Sequence, residues 1–86
     1  MFSEEDKKEI QQELLQLGLK IEAEAKKRCP VDTGRLRASI NTQLQGDYKV
    51  RVGSNVEYAP YVEYGTADQE AQPYLRPAID KVLNRR

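Results

Sequence analysis

The 86-residue chain contains no histidine and no tryptophan, and it has a single cysteine, Cys29. Without histidine or a cysteine cluster, the ligand spacings of the usual zinc and iron–sulfur sites are missing, so we expect no metal and no cofactor. A lone cysteine cannot form an internal disulfide. Together with the lack of a secretory leader, it indicates a reducing compartment. We expect Cys29 to be a small, half-buried residue at a helix end, and we expect no catalytic residue in the chain.

Long apolar runs are also missing, which argues against a membrane span and a membrane partner. The chain is 38% hydrophobic and 33% charged, so its core is thin for its length. We expect one domain over residues 1–86. Chains of this size often gain stability from a disulfide, a metal or association. The chain lacks the residues for a disulfide or a metal site, so we expect it to associate with copies of itself or with partners.

The formal net charge is zero, but the charges lie in blocks. Residues 1–25 and 55–70 are mainly acidic, whereas residues 26–54 and 71–86 are mainly basic. A nucleic-acid-binding domain normally has a basic excess, so we expect no sequence-specific nucleic-acid partner. Ordinary solvated faces could produce such blocks. Alternatively, an acidic patch of one copy faces a basic patch of the next.

The first element is predicted to be a long helix over residues 4–28, with Ser3 as its N-cap. Gly18 lies on the apolar stripe and would let another backbone come close. Leu15 and Leu19 lie off the stripe, where they either widen the core contact or meet a neighbouring subunit. The stripe itself, spaced by three and four residues, consists of Ile10, Leu14, Leu17, Ile21 and Ala25.

A β-hairpin is predicted over residues 40–53. A three-residue loop, Gln45-Gly46-Asp47, places all the apolar residues on one face, whereas a two-residue loop splits them. The expected pairs are Leu44 with Tyr48, Thr42 with Val50, and Ile40 with Val52. The opposite face is then polar and carries Asn41, Gln43, Lys49 and Arg51.

The remaining elements are helical. We expect a short turn through Ser39, a second turn between Pro60 and Gly65, an exposed loop over residues 67–72, and a helix over residues 73–86. The fold class is α+β: a long N-terminal helix packed on a small antiparallel sheet, a short helical turn and a C-terminal helix. Only two strands are clear, so a third must come from the irregular parts or from a neighbouring copy. The inward residues of the last helix are Leu75, Ile79, Val82 and Leu83.

One catalytic motif must be weighed, namely Val31-Asp32-Thr33-Gly34. Asp-Thr-Gly after an apolar residue is the signature of aspartic proteases, in which two aspartates share a proton. That loop should follow an apolar strand, whereas here it follows a long helix and Pro30. A turn that caps the following helix is the plainer interpretation of Asp32.

Three of the five tyrosines lie in the segment VEYAPYVEYGT, residues 56–66. Glu57 and Glu63 resemble a carboxylate pair, but no sequence feature fixes their separation. Stacking of bases on the rings is disfavoured because the segment is acidic. The plain interpretation is packing of rings with a polar tip. We expect Tyr58 and Val62 to be buried, with Tyr61 or Tyr64 at a subunit contact.

Three motifs carry a family resemblance: residues 29–40 (CPVDTGRLRASI), 52–66 (VGSNVEYAPYVEYGT) and 71–78 (AQPYLRPA). Their order resembles the small tail-component family of long-tailed bacteriophages, whose members are head–tail joining, neck or tail-completion proteins. The resemblance covers residues 20–83. It implies a structural virion protein, assembled in the bacterial host cytoplasm and placed at the head–tail junction.

Similar proteins form rings, often of six copies. The implied partners are therefore the chain itself, connector or head-completion proteins, and tail-tube or tail-terminator proteins. The competing hypothesis is a small phage-encoded enzyme or nucleic-acid-binding module, such as a nuclease-type toxin or an aspartic protease using Asp32. The expected subunit or partner interface comprises Leu15, Leu19, Arg35, Arg37, Lys49, Arg51, Tyr61, Glu63 and Tyr64.

Overall fold

A computed structural model describes residues 3–30 and 34–84 of the chain. Helix α1 spans Glu4–Arg28, which confirms the predicted bounds. The Ser3 hydroxyl oxygen accepts a 3.2 Å hydrogen bond from the Asp6 backbone N–H and thereby caps the helix. Acidic residues occupy its first turn and basic residues its last turn, where each sign complements the helix dipole.

Cys29 ends α1 in an extended conformation, immediately before Pro30. Its side chain is 2% exposed, so the thiol is more deeply buried than the half-buried position expected from the sequence. Burial raises the pKa of Cys29, although the charge of Arg37 opposes this shift. A buried thiol of raised pKa is a core group rather than a nucleophile.

The hairpin follows the short helix α2, Gly34–Ser39, and consists of strands β1, Asn41–Leu44, and β2, Val50–Gly53. The pairing is antiparallel, with Asn41 opposite Gly53 and Leu44 opposite Val50. The predicted register was therefore wrong by two residues, and the three-residue loop is Gly46-Asp47-Tyr48. A shift of two residues keeps every side chain on its predicted face, so the alternation of apolar residues could not distinguish the two registers.

The hairpin packs on α1 at Gly18, where the sequence predicted the approach of another backbone, and side chains of the hairpin make the contact. A methyl group at Gly18 would lie 2.6 Å from Thr42 Cγ2 and 2.9 Å from Val50 Cγ2. The Thr42 hydroxyl donates to the Gly18 carbonyl oxygen and to Glu22 Oε1, each at 3.0 Å. At the hairpin tip, the Asp47 carboxylate lies 3.1 Å from Lys7 Nζ and raises the pKa of Lys7 through a hydrogen bond and its charge.

Helix α3 spans Ala59–Tyr64 and helix α4 spans Leu75–Val82. The last helix is thus shorter than the predicted 73–86. Leu83 caps it through an N–H···O bond to Ile79, and Asn84 adopts a positive φ of 57°, so the helical path ends there. Leu83 is 39% exposed, which contradicts its predicted inward position.

Helix α4 packs against α1 beside the hairpin. Lys81 Nζ lies 3.8 Å from Glu24 of α1. Burial alone would raise the pKa of Glu24, but the charges of Lys81, Lys27 and Arg28 outweigh it and leave the pKa lowered. The buried core joins all the helices and is formed by Ile21, Ala25, Cys29, Leu36, Ile40, Val56, Ala59, Tyr74 and Ala78.

The α+β architecture is confirmed: a two-stranded antiparallel sheet packs on α1, and α4 packs on α1 beside the hairpin. Among residues 3–30 and 34–84, the irregular segments add no third strand to this sheet. The sequence predicted that a third strand would come from an irregular segment or from a neighbouring copy. Within the described residues, the first of these sources is excluded. An isolated hairpin is marginally stable in water, and here it relies on α1 for packing.

Candidate functional site

The tyrosine-rich segment forms the turn that its proline and glycine predicted. Pro60 lies in the first turn of α3, and Gly65 caps the helix with φ of 80°. Tyr61 and Tyr64 are 61% and 75% exposed. Tyr58 and Val62 are half-buried and pack against the core, so their predicted burial is only partial. The turn thus presents two rings to solvent, while Tyr58 and Val62 hold it against the core.

Gly65 is required by the loop that follows it. A side chain there would lie 2.7 Å from the Ala71 backbone nitrogen, in addition to the strain of a positive φ. The Gln72 N–H donates a 2.8 Å bond to the Val62 carbonyl oxygen, which closes the loop against α3. The loop is exposed over residues 66–73, as predicted.

Glu63 connects the two C-terminal helices. Its carboxylate accepts hydrogen bonds from the backbone N–H groups of Tyr74, Leu75 and Arg76, at 3.1, 2.9 and 3.1 Å. These groups belong to the unsatisfied first turn of α4, so Glu63 serves as the N-terminal cap of a helix eleven residues away. The sequence placed Glu63 at an interface and did not predict that it caps α4. The N-cap residue of α4, Tyr74, makes no side-chain capping hydrogen bond, so the cap comes from Glu63.

Arg35 also contacts its own chain. Its guanidinium lies 3.3 Å from Glu57 Oε2 and 5.6 Å from the centroid of the Tyr58 ring. The pKa of Glu57 is lowered, first by a hydrogen bond from its own backbone N–H and then by Arg35. Arg35 thereby ties α2 to the tyrosine turn. Glu57 and Glu63 have separate partners, and nothing in the described residues arranges them as a catalytic pair.

Lys49 and Arg51 lie on the polar face of the hairpin, as predicted, and Arg37 is exposed on α2. Within the described residues, none of these three cations forms an ion pair. A small polar hollow of about 90 Å³ lies on the same face, lined by Asn41, Gln43, Arg51, Gly53, Ser54 and Asn55.

Leu15 and Leu19 are 37% and 48% exposed on α1. They follow each other by one helical turn, and Glu22 continues the same flank. Since Glu22 contacts Thr42 of β1, this flank lies on the β1 side of the helix. Leu15 and Leu19 therefore form an exposed apolar strip rather than part of the core.

An apolar groove lies along the other side of the hairpin, and we call it the β2 groove. It comprises two adjoining hollows of about 430 and 240 Å³, which share Arg51 and Val52. Ile21 and Ile79 line the larger hollow, and Leu75 lines the smaller one. The groove thus runs between the outer edge of β2 and the helices α3 and α4, where a third strand would fit.

The predicted protease motif cannot be placed, since Asp32 lies outside the described residues. Over the parts that the structure describes, no cluster of three or more acidic or cysteine side chains is arranged to hold a metal ion. No helix in those parts is both long and apolar enough to cross a membrane. The prominent features of the described surface are the tyrosine turn, the Leu15–Leu19 strip and the β2 groove.

The described residues of this small α+β domain leave apolar side chains and sheet edges exposed, and such features are typical of interaction surfaces. The family model described as "Bacteriophage HK97-gp10, putative tail-component" matches residues 2–65, more than half of the chain. The chain belongs to this family of bacteriophage tail components. A tail component is part of the virion, so membership implies a virion location.

The family match covers α1, the hairpin and α3, and it ends at Gly65, the cap of α3. The motif at residues 29–40 lies inside the match, and the motif at residues 52–66 lies inside it up to Gly65. The motif at residues 71–78 lies beyond it. No curated protein and no solved structure gave a significant match.

Proposed function

We propose that the chain is a non-enzymatic structural protein of the head–tail junction, which assembles as a ring and joins or completes the tail during phage morphogenesis. Its partners would be further copies of itself, connector or head-completion proteins, and tail-tube or tail-terminator proteins. Membership of a tail-component family supports the structural role. The station at the junction and the ring itself are our inference.

The observation that carries the proposal is the position of the two open sheet edges. One edge of the hairpin lies beside the Leu15–Leu19 strip, and the other lies beside the β2 groove. These surfaces differ from each other, so a contact between them is heterologous. A heterologous contact that closes generates a ring.

Light scattering together with negative-stain microscopy tests the proposal. We expect ring particles of the purified chain, or of the chain mixed with its cognate tail tube, with a mass several times the 9.9 kDa of one copy. A monomer at all concentrations, both alone and with the tail tube, would contradict ring assembly. Gene order offers an independent check, because a joining protein should be encoded between the connector and tail-tube genes.

A further inference from the structure

We infer that each copy extends the sheet of the next: the outer edge of β1 pairs with the outer edge of β2 in a second copy, while the Leu15–Leu19 strip covers the β2 groove. This inference rests on the proposed ring assembly and identifies the surfaces that form it. The occupant of the groove is thus a second copy of this chain.

The backbone supplies the first argument. The Gln45 N–H donates to the Lys49 carbonyl oxygen at 2.8 Å, so these two residues form a hydrogen-bonded pair of the antiparallel ladder. Such pairs alternate with pairs whose N–H and C=O groups point outward. In the observed register, Val50 and Val52 therefore direct these groups to the outer edge of β2. By the same rule, Thr42 and Leu44 direct theirs to the outer edge of β1.

None of these outward backbone groups has a hydrogen-bond partner within residues 3–30 and 34–84. Two open edges of one hairpin are complementary by construction, because each offers alternating donors and acceptors. Pairing them between copies supplies the third strand that the two-stranded sheet lacks. It also continues the sheet over α4, which packs on α1 beside the hairpin.

The apolar surfaces give the second argument. The β1 edge carries Leu44, 40% exposed, next to the strip of Leu15 and Leu19. The β2 edge borders the groove lined by Ile21 and Ile79. One copy thus offers exposed leucines on the flank opposite to its own groove. Contact between the leucines of one copy and the β2 groove of the next would remove both apolar surfaces from water.

Charge is complementary at the same contact. Glu4 lies on the flank of α1 that carries Leu15 and Leu19, near the end where Lys7 holds the hairpin tip. Lys49 follows that tip, immediately before β2. Neither Glu4 nor Lys49 forms an ion pair within the part of the chain that the structure describes. When β1 of one copy lies antiparallel to β2 of the next, the Glu4 of the first copy approaches the Lys49 of the second.

Cysteine cross-linking between differently tagged copies tests the pairing. Full-length Gln43→Cys is mixed with full-length Lys49→Cys or Arg51→Cys, all of which place the thiol on the polar sheet face. Each variant has only one of the two positions changed, so a disulfide between tags must join two chains. We expect a covalent heterodimer in at least one mixture, at a yield several times that of Gln43→Cys mixed with Glu70→Cys, whose thiol lies on the exposed loop. The parent protein, in which Cys29 is buried, provides the background.

A second pair of variants tests the apolar contact. Leu19→Lys should abolish assembly while leaving a folded monomer, whereas Gln16→Lys, at an exposed position outside the strip, should assemble normally. If rings form but the sheet-edge cysteines cross-link no better than the loop control, the edge pairing is wrong and the proposed function stands. If neither rings nor cross-links form, both are wrong. Rings that survive Leu19→Lys would also overturn the inference.

Discussion

The Thr42 hydroxyl oxygen lies 3.0 Å from the carbonyl oxygen of Gly18, at the point where the hairpin crosses α1. The same hydroxyl lies 3.0 Å from Glu22 Oε1, so its single proton is shared between a backbone acceptor and a carboxylate. The bond to Gly18 is half-buried and joins residues far apart in the sequence, so it helps to hold β1 against the helix. It forms because position 18 has no side chain to keep Thr42 away.

Gly18→Ala should destabilise the fold. Alanine is favoured over glycine in a helix by about 1 kcal/mol. The new methyl group, however, would lie 2.6 Å from Thr42 Cγ2 and 2.9 Å from Val50 Cγ2. Both neighbours are β-branched and stiff, so the hairpin must move, at an overpacking cost of about 1–3 kcal/mol. We expect a net loss of about 1 kcal/mol in the free energy of unfolding, measured by urea denaturation.

The matched control is Gly53→Ala, where an added methyl group meets nothing within 4 Å. It should leave the unfolding free energy nearly unchanged. Adding Thr42→Ser to Gly18→Ala removes the closest methyl contact and should recover part of the loss. If Gly18→Ala were as stable as the parent, the hairpin would have enough room to accept the added methyl group, and the prediction would be wrong.

Glu63→Ala should lower stability by about 1–2 kcal/mol, since three N–H groups of the first turn of α4 lose their acceptor. Glu63→Gln keeps one acceptor oxygen and should lose less. Thermal unfolding followed by helical circular dichroism gives both values. Glu70→Gln, on the exposed loop, serves as the control and should match the parent. An unaltered midpoint for Glu63→Ala would show that the cap contributes nothing measurable.

These residues show where sequence reasoning succeeds and where it stops. The bounds of α1 were predictable because Ser3 and Pro30 act on the adjoining backbone. The faces of the hairpin were predictable from alternation, but its register was not, because a two-residue shift preserves those faces. The cap by Glu63 depends on a loop that brings position 63 to position 75. Such a contact is long-range, and no local pattern specifies it.

The surface residues also include some whose environment the sequence could predict and others whose environment it could not. Helical spacing placed Leu15 and Leu19 off the buried stripe but left open whether they widen the core contact, and the structure leaves both exposed. Tyr61 and Tyr64 are both exposed as well, whereas the sequence placed only one or the other at a contact. Arg35 was expected to face a partner, yet it pairs with Glu57 of its own chain. Charge blocks along the sequence cannot distinguish internal from external pairing, since the fold decides which blocks meet. Whether these residues meet another subunit stays a prediction.

Alkaline pH should unfold the protein partly through Tyr74. Its side chain is 3% exposed, and burial, followed by the charge of Glu63, raises its pKa to about 12 from an ordinary value of 10. A raised pKa favours the neutral phenol in the folded state, so this stability is complete below pH 10 and is lost as the pH rises towards 12. The full loss is about 3 kcal/mol.

Tyr74→Phe removes this titration and keeps the buried ring. Urea midpoints of the parent and of the variant, measured from pH 8 to pH 11.5, should diverge above pH 10, with the parent falling more steeply. Comparing the two proteins cancels the titration of every other group. Parallel curves would show that Tyr74 is equally easy to ionise in the folded and unfolded chain.

The exposed rings of the tyrosine turn should matter for assembly and not for folding. Tyr64 is 75% exposed, so Tyr64→Ser should change the unfolding free energy by no more than about 0.5 kcal/mol. If the ring is buried at a subunit contact, its loss should weaken assembly about tenfold, since a buried interfacial tyrosine typically contributes more than 1 kcal/mol. Sedimentation velocity over a concentration series measures the change. Tyr64→Phe keeps the apolar area and should assemble like the parent, which separates the effect of the ring from that of its hydroxyl.

Normal assembly of Tyr64→Ser, and of Tyr61→Ser tested alongside it, would show that the turn is not part of the interface. Contact would then rest on the sheet edges and the leucine strip alone.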